Sequence, residues 1–177
     1  DVFGVVRSLC AFRLPGARRE HVVVGSDSGR VAVLETCAAR GHAFVRAQLE
    51  TFGKSGCRRV VPGEYVAADP RGRAVMVAAA EKQKLVYVLN RDARNRLTIS
   101  SPLEAHKSRV VVFGVCGVDV GYENPQFAAL ECDYTDVHAS SSNSSSGNGG
   151  SGGNAPLRKV LTYYELDLGL NSVTRKY

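Results

Sequence analysis

The chain has 177 residues, 44% of them hydrophobic and 23% charged, enough for one sizeable core or for part of a larger domain. Its formal charge of +6, from 23 basic and 17 acidic side chains, is a mild excess and excludes the dense basic block of a nucleic-acid-binding arm. No apolar run approaches the roughly 18 residues that a membrane helix needs, so no membrane partner is expected.

In chain order, the first extended run is Ser8-Leu9-Cys10-Ala11-Phe12. Val22-Val23-Val24 and Val31-Ala32-Val33-Leu34 follow around Gly25-Ser26-Asp27-Ser28-Gly29, and read as a hairpin whose glycines can supply positive φ. Another extended run covers 42–49. The pattern then returns with Glu64-Tyr65-Val66-Ala67-Ala68, a second hairpin of 74–80 and 85–89, and a closing run at 96–100. Helix propensity alone would allow a helix over 78–84, because Ala, Glu, Lys and Gln favour one. The likeness to the first hairpin instead predicts strand, turn, strand. A third round runs through 110–120, 126–131, 160–166 and 171–176.

This is an internal repeat. Val24 to Val77 is a step of about 53 residues, and the next similar strand, at 126–131, lies about 52 further on. The strand at 160–166 arrives about 20 residues late, mostly because of a Ser/Gly/Asn-rich insert at 139–154. That insert is expected to be disordered, since it has almost no apolar side chains to offset ordering entropy.

Successive four-stranded units at such a period predict an all-β chain, a partial β-propeller of three consecutive four-stranded antiparallel blades. The expected units span 5–52, 60–101 and 109–177. A propeller closes with about four to eight blades, so three supply a little under half of a seven-bladed ring. The chain also begins at Asp1 rather than Met, and a fragment of a longer protein is the simplest account. A complete small β-sandwich is the alternative, because it too has short strands at regular spacing. The internal repeat favours the propeller.

Candidate chemistry is sparse. Cys10, Cys37, Cys57, Cys116 and Cys132 stand singly, without the spacing of a zinc knuckle, a redox dithiol or a disulfide framework. Cys10 and Cys116 lie in apolar runs and are expected as buried, reduced thiols, which points to a reducing compartment. Gly53-Lys54-Ser55 ends like a phosphate-binding loop, but Gln48 stands where the first glycine belongs and no helix follows. Gly25-Ser26-Asp27-Ser28-Gly29 has Asp27 where a hydrolase elbow needs serine. His21, His42, His106 and His138 form no local metal-ligand pair. No catalytic residue, metal or cofactor is expected.

Two connecting segments are more particular. Thr51-Phe52-Gly53-Lys54-Ser55-Gly56-Cys57-Arg58-Arg59 combines an aromatic and adjacent arginines with shape-constraining glycines. Arg and aromatic residues are over-represented at interface cores. The second segment contributes Asn90, Arg91, Asp92, Arg96, Ser100, Ser101, Glu104, His106 and Lys107. A solvated basic loop would explain the first segment, and a solvated edge of mixed charge the second. Both lie between one unit's hairpin and the next unit's first strand, so they are expected to face one side of the ring as a composite partner-binding surface. Direct RNA contact rests only on Arg58, Arg59, Arg91, Arg94 and Arg96, and is expected to be indirect or weak.

Residues 50–59, with Glu81-Lys82-Gln83-Lys84-Leu85-Val86-Tyr87-Val88-Leu89-Asn90-Arg91-Asp92 and 97–107, resemble the first propeller of the splicing factor 3b subunit 3 family. Val118-Asp119-Val120-Gly121-Tyr122-Glu123-Asn124-Pro125 and Tyr164-Glu165-Leu166-Asp167-Leu168-Gly169-Leu170-Asn171 extend the resemblance over nearly the whole chain. It implies a nuclear, non-catalytic scaffold of the spliceosome, in the particle that recognises the intron branch site. It also implies three partners within that complex: a helical-repeat subunit, a small zinc-finger-type subunit and a very small helical subunit. Related three-propeller proteins of DNA-damage recognition and mRNA 3′-end processing are the alternative. The insert and the loop at 37–42 depart from the pattern, and contacts through them do not carry over.

Overall fold

The computed structural model describes residues 4–51, 60–105, 109–118, 121, 123–134 and 158–176. The first sheet is a meander of β1 (Val6–Phe12), β2 (His21–Ser26), β3 (Arg30–Cys37) and β4 (Ala43–Thr51). The second has β5 (Tyr65–Ala68), β6 (Ala74–Ala78) and β7 (Lys84–Arg91), with β8 (Leu97–Ile99) and β9 (Leu103–Glu104) sharing the outer edge of β7. The third has β10 (Val110–Val118), β11 (Gln126–Asp133), β12 (Lys159–Asp167) and β13 (Ser172–Lys176). All pairings are antiparallel, and a three-residue 3-10 turn at Ala38–Arg40 is the one helical element among the described residues.

The expected strand–turn–strand at 74–89 is what forms, with no helix across 78–84. Its turn closes through the Ala79 N–H to the Gln83 carbonyl, and Lys82 takes a positive φ of 66°. Packing overrides local propensity here. Successive strand residues point to opposite faces, and the second sheet is covered on both. Val75, Val77, Leu85, Tyr87 and Leu89 face the first sheet, against Phe12, Val23 and Val33. Ala74, Met76 and Val86 face the third, against Phe127, Tyr164 and Leu166. A continuous apolar run therefore marks β6 and β7, while the outer strands β4 and β13 have only half-buried and exposed positions.

Glycines let the sheets approach. A Cβ on Gly25 would lie 2.5 Å from the Gly63 carbonyl, which brings β2 against the entry to β5. A Cβ on Gly117 in β10 would overlap the Ala68 carbonyl at the end of β5. Thus β5 lies between β1 and β10.

Two features differ from the sequence reading. Cys116 is exposed rather than buried, because it sits on the face of β10 opposite Val115, and Val115 is the residue that packs into the core. Cys10 is half-buried at the edge of the first core, and Cys132 is the buried thiol. The second sheet also runs past residue 101, since β9 pairs Leu103 with Val86 and Glu104 with Leu85. The insert at 139–154 and Gly53-Lys54-Ser55 lie outside the described residues.

Candidate partner-binding surface

The turn from β7 to β8 is built around Asp92. Its Oδ1 accepts the backbone N–H groups of Arg94 and Arg96, each at 2.9 Å, and its Oδ2 accepts from Arg96 Nε at 2.9 Å. Asn95 supplies the left-handed residue, with φ of 63°. Asp and Asn suit such a turn because the short side chain bonds its own backbone and tolerates this conformation. The backbone N–H of Arg96 leads the interactions that hold the Asp92 carboxyl below its ordinary range.

Arg91 joins this turn to the first sheet. Its Nη1 donates to Asn95 Oδ1 at 2.8 Å and its Nη2 to the Pro15 carbonyl at 2.6 Å, in the loop between β1 and β2. A second link runs from Gln48 Nε2 in β4 to the Leu97 carbonyl at 2.9 Å. Arg91 is thus a positioning group as much as a surface charge. Arg96 keeps 70% of its side chain exposed despite its pair with Asp92, and Asn90 is exposed beside it.

Further along, Ser100 occupies the break between β8 and β9. Its N–H donates to the Val88 carbonyl at 3.0 Å, while its Oγ accepts the Val88 N–H at 2.9 Å and donates to the Ser101 carbonyl at 2.8 Å. The Ser100 hydroxyl therefore completes the ladder where Pro102 interrupts it. Ser101 and Glu104 are exposed on the same outer edge, and exposed Thr51 ends β4 opposite Arg30. Phe52, Gly53, Lys54, Ser55, Gly56, Cys57, Arg58 and Arg59 lie outside the described residues, as do His106 and Lys107.

The structure brings Arg91, Asp92 and Arg96 into a groove of about 730 Å³ with residues outside the two segments expected as a partner surface. These are Arg18 and Arg19 from the β1–β2 loop, His21 at the start of β2, and Arg46 from β4. Adjacent arginines at 18 and 19 are a visible signal, but only the packing of two sheets joins them to the turn at 92–96. Among the described residues, no group of three or more His, Cys, Asp and Glu is placed to hold a metal ion.

The profile of the RSE1/DDB1/CPSF1 first beta-propeller family matches residues 1–177. Splicing factor 3B subunit 3 of Danio rerio is 58% identical over 177 residues, which are 100% of this chain and 14% of that protein. Spliceosome-associated protein 130 A of Arabidopsis thaliana is 55% identical with the same coverage of 100% and 14%. Pre-mRNA-splicing factor rse1 of Emericella nidulans is 53% identical, again over 100% of this chain and 14% of its own length. The chain thus spans about one seventh of these relatives, and its three successive antiparallel sheets suit that portion. With the match running from end to end, the chain belongs to the RSE1/DDB1/CPSF1 first beta-propeller family.

Proposed function

We propose that the chain is part of a non-catalytic propeller scaffold of the splicing factor 3b complex, acting in the nucleus in pre-mRNA splicing through protein–protein contacts. The observation that carries this reading is the 58% identity, over all 177 residues, to a protein named splicing factor 3B subunit 3. The other two relatives reported above also carry splicing names, which favours splicing over DNA-damage recognition or 3′-end processing. In this reading the three sheets are consecutive blades of a seven-bladed ring. Exposed Leu9 on the first sheet, and exposed Leu130 and Leu161 on the third, suit apolar contact with neighbouring blades.

The partners are then the helical-repeat, zinc-finger-type and very small helical subunits of the complex. The docking face combines residues 51–59 with residues 90–107, and Phe52, Arg58 and Arg59 are its anchors. Aromatic and Arg truncations at interface centres cost about 2 kcal/mol or more. Tagged full-length protein captured from nuclear extract should bring down the complex, identified by mass spectrometry. Phe52→Ala with Arg58→Ala should weaken that capture while circular dichroism stays unchanged. Undiminished capture by the folded double variant removes this face, and capture of a different complex removes the assignment to splicing.

A further inference from the structure

The groove between the first sheet and the β7–β8 turn has a composition that selects its occupant. Six arginines line it, at 18, 19, 46, 91, 94 and 96, against two carboxylates, Glu35 and Asp92. Arg18 and Arg94 stand exposed at its rim, one on each wall. Arg46, Ala47 and Gln48 all line the groove, although consecutive strand residues normally alternate faces. A β-bulge explains this: Val33 pairs with Gln48 and Leu34 with Arg46, so Ala47 is the unpaired extra residue. Bulges of this kind re-aim side chains at functional edges.

At the groove's base His21 is only 6% exposed and stacks on Phe12, with ring centroids 5.4 Å apart. Its Nε2 lies 3.8 Å from Glu35 Oε2, while its buried Nδ1 has no hydrogen-bond partner among the described residues. Burial lowers its pKa below 6.5, so the ring is neutral near pH 7. A neutral, enclosed ring at the base leaves the arginines as the charges that the groove presents.

We infer that this groove binds an acidic peptide segment of a partner protein, with its carboxylates on the rim arginines. Guanidinium groups take carboxylates in bidentate pairs, which gives specificity as well as attraction. A nucleic-acid strand fits less well. No Phe, Tyr or Trp lines the groove to stack a base. Glu35 and Asp92 would also repel an unbroken phosphate chain, whereas a peptide can place neutral residues beside them. Ala17 and Ala47, both half-buried, offer apolar contact between the charges. The inference does not depend on which complex the full-length protein joins.

The test uses full-length protein and two fluorescent probes of matched charge, a Glu-rich peptide carrying a photo-crosslinker and an oligouridylate. The peptide should crosslink within residues 14–19 or 91–98, and Arg18→Glu with Arg94→Glu should weaken its binding at least about tenfold. Both sites are exposed, so thermal unfolding should stay unchanged. Arg109→Glu with Arg158→Glu, at exposed positions away from the groove, should leave binding within about twofold. Crosslinks elsewhere, or equal losses from the two double variants, overturn the inference. Tighter binding of the oligouridylate, abolished by the groove variant, also overturns it and makes the groove a phosphate site. The scaffold reading fails separately, in the nuclear-extract capture.

Discussion

His21 shows how a single side chain can carry a condition-dependent effect. Buried and stacked on Phe12, it is held mainly by desolvation below its ordinary pKa of 6.5, with nearby Arg91 acting the same way and Glu35 opposing. The unfolded chain therefore takes up a proton at this ring before the folded chain does. Stability from this site is complete above about pH 6.5 and declines as pH falls through that value toward the lower folded pKa. Unfolding midpoints measured from about pH 7.5 down to about pH 5.5 should fall with pH. His21→Phe should flatten that dependence, and an unchanged slope in the variant would assign it elsewhere. The sequence shows His21 only as a histidine near a turn; its burial arises from the Phe12 pairing across β1 and β2.

At the scale of elements, β7 and the third sheet are joined by a buried ionic cluster. Lys84 Nζ, in β7, lies 3.0 Å from Glu131 Oε1 in β11, and both side chains are almost wholly buried. Tyr164 in β12 donates to the same oxygen at 2.7 Å, and Arg175 in β13 reaches Glu131 Oε2 at 3.2 Å. Burial pushes the Glu131 carboxyl up, but the Tyr164 hydroxyl and the Lys84 charge outweigh it and hold it below its usual range. Burial likewise lowers Lys84, and Glu131 opposes that shift. The two losses are therefore unequal. Glu131→Gln strands a buried ammonium and should cost about 3–5 kcal/mol. Lys84→Met should cost less, because Glu131 keeps Tyr164 and Arg175. Urea denaturation of the two variants checks this order, and a Lys84→Met loss as large as that of Glu131→Gln would refute it. In the sequence, Lys84 reads as part of a polar turn. Only the third sheet lying across β7 makes it a core residue.

Across the whole molecule, the sheets are held at their spacing by points where no side chain fits. Gly117 has no positive-φ requirement, so its role is the close approach of β10 to the Ala68 carbonyl. Gly117→Ala should therefore push the second and third sheets apart and lower stability by about 1–3 kcal/mol, the usual range for overpacking. Gly114→Ala is the control, since a Cβ there meets nothing within 4 Å. Equal losses from both variants would mean that strand propensity, not sheet spacing, sets the effect.

The repeat of about 53 residues, the hairpins at 22–34 and 74–89, and the antiparallel class follow from the sequence alone. Strand period and turn chemistry are local properties, and they recur in each unit. Asp92 and Asn95 likewise announce their turn through their own backbone bonds. What the tertiary structure decided is everything that depends on which faces meet. The second sheet is covered on both sides, so Lys84 and Glu131 are buried together, while Cys116, in an equally apolar run, is exposed. The division of the fourth strand into β8 and β9 also needed the Ser100 hydroxyl beside Val88. The arginine groove belongs to the same class. Arg18 and Arg94 are separated by more than a whole repeat in sequence, and they face each other only because packing across the first core sets two sheets side by side.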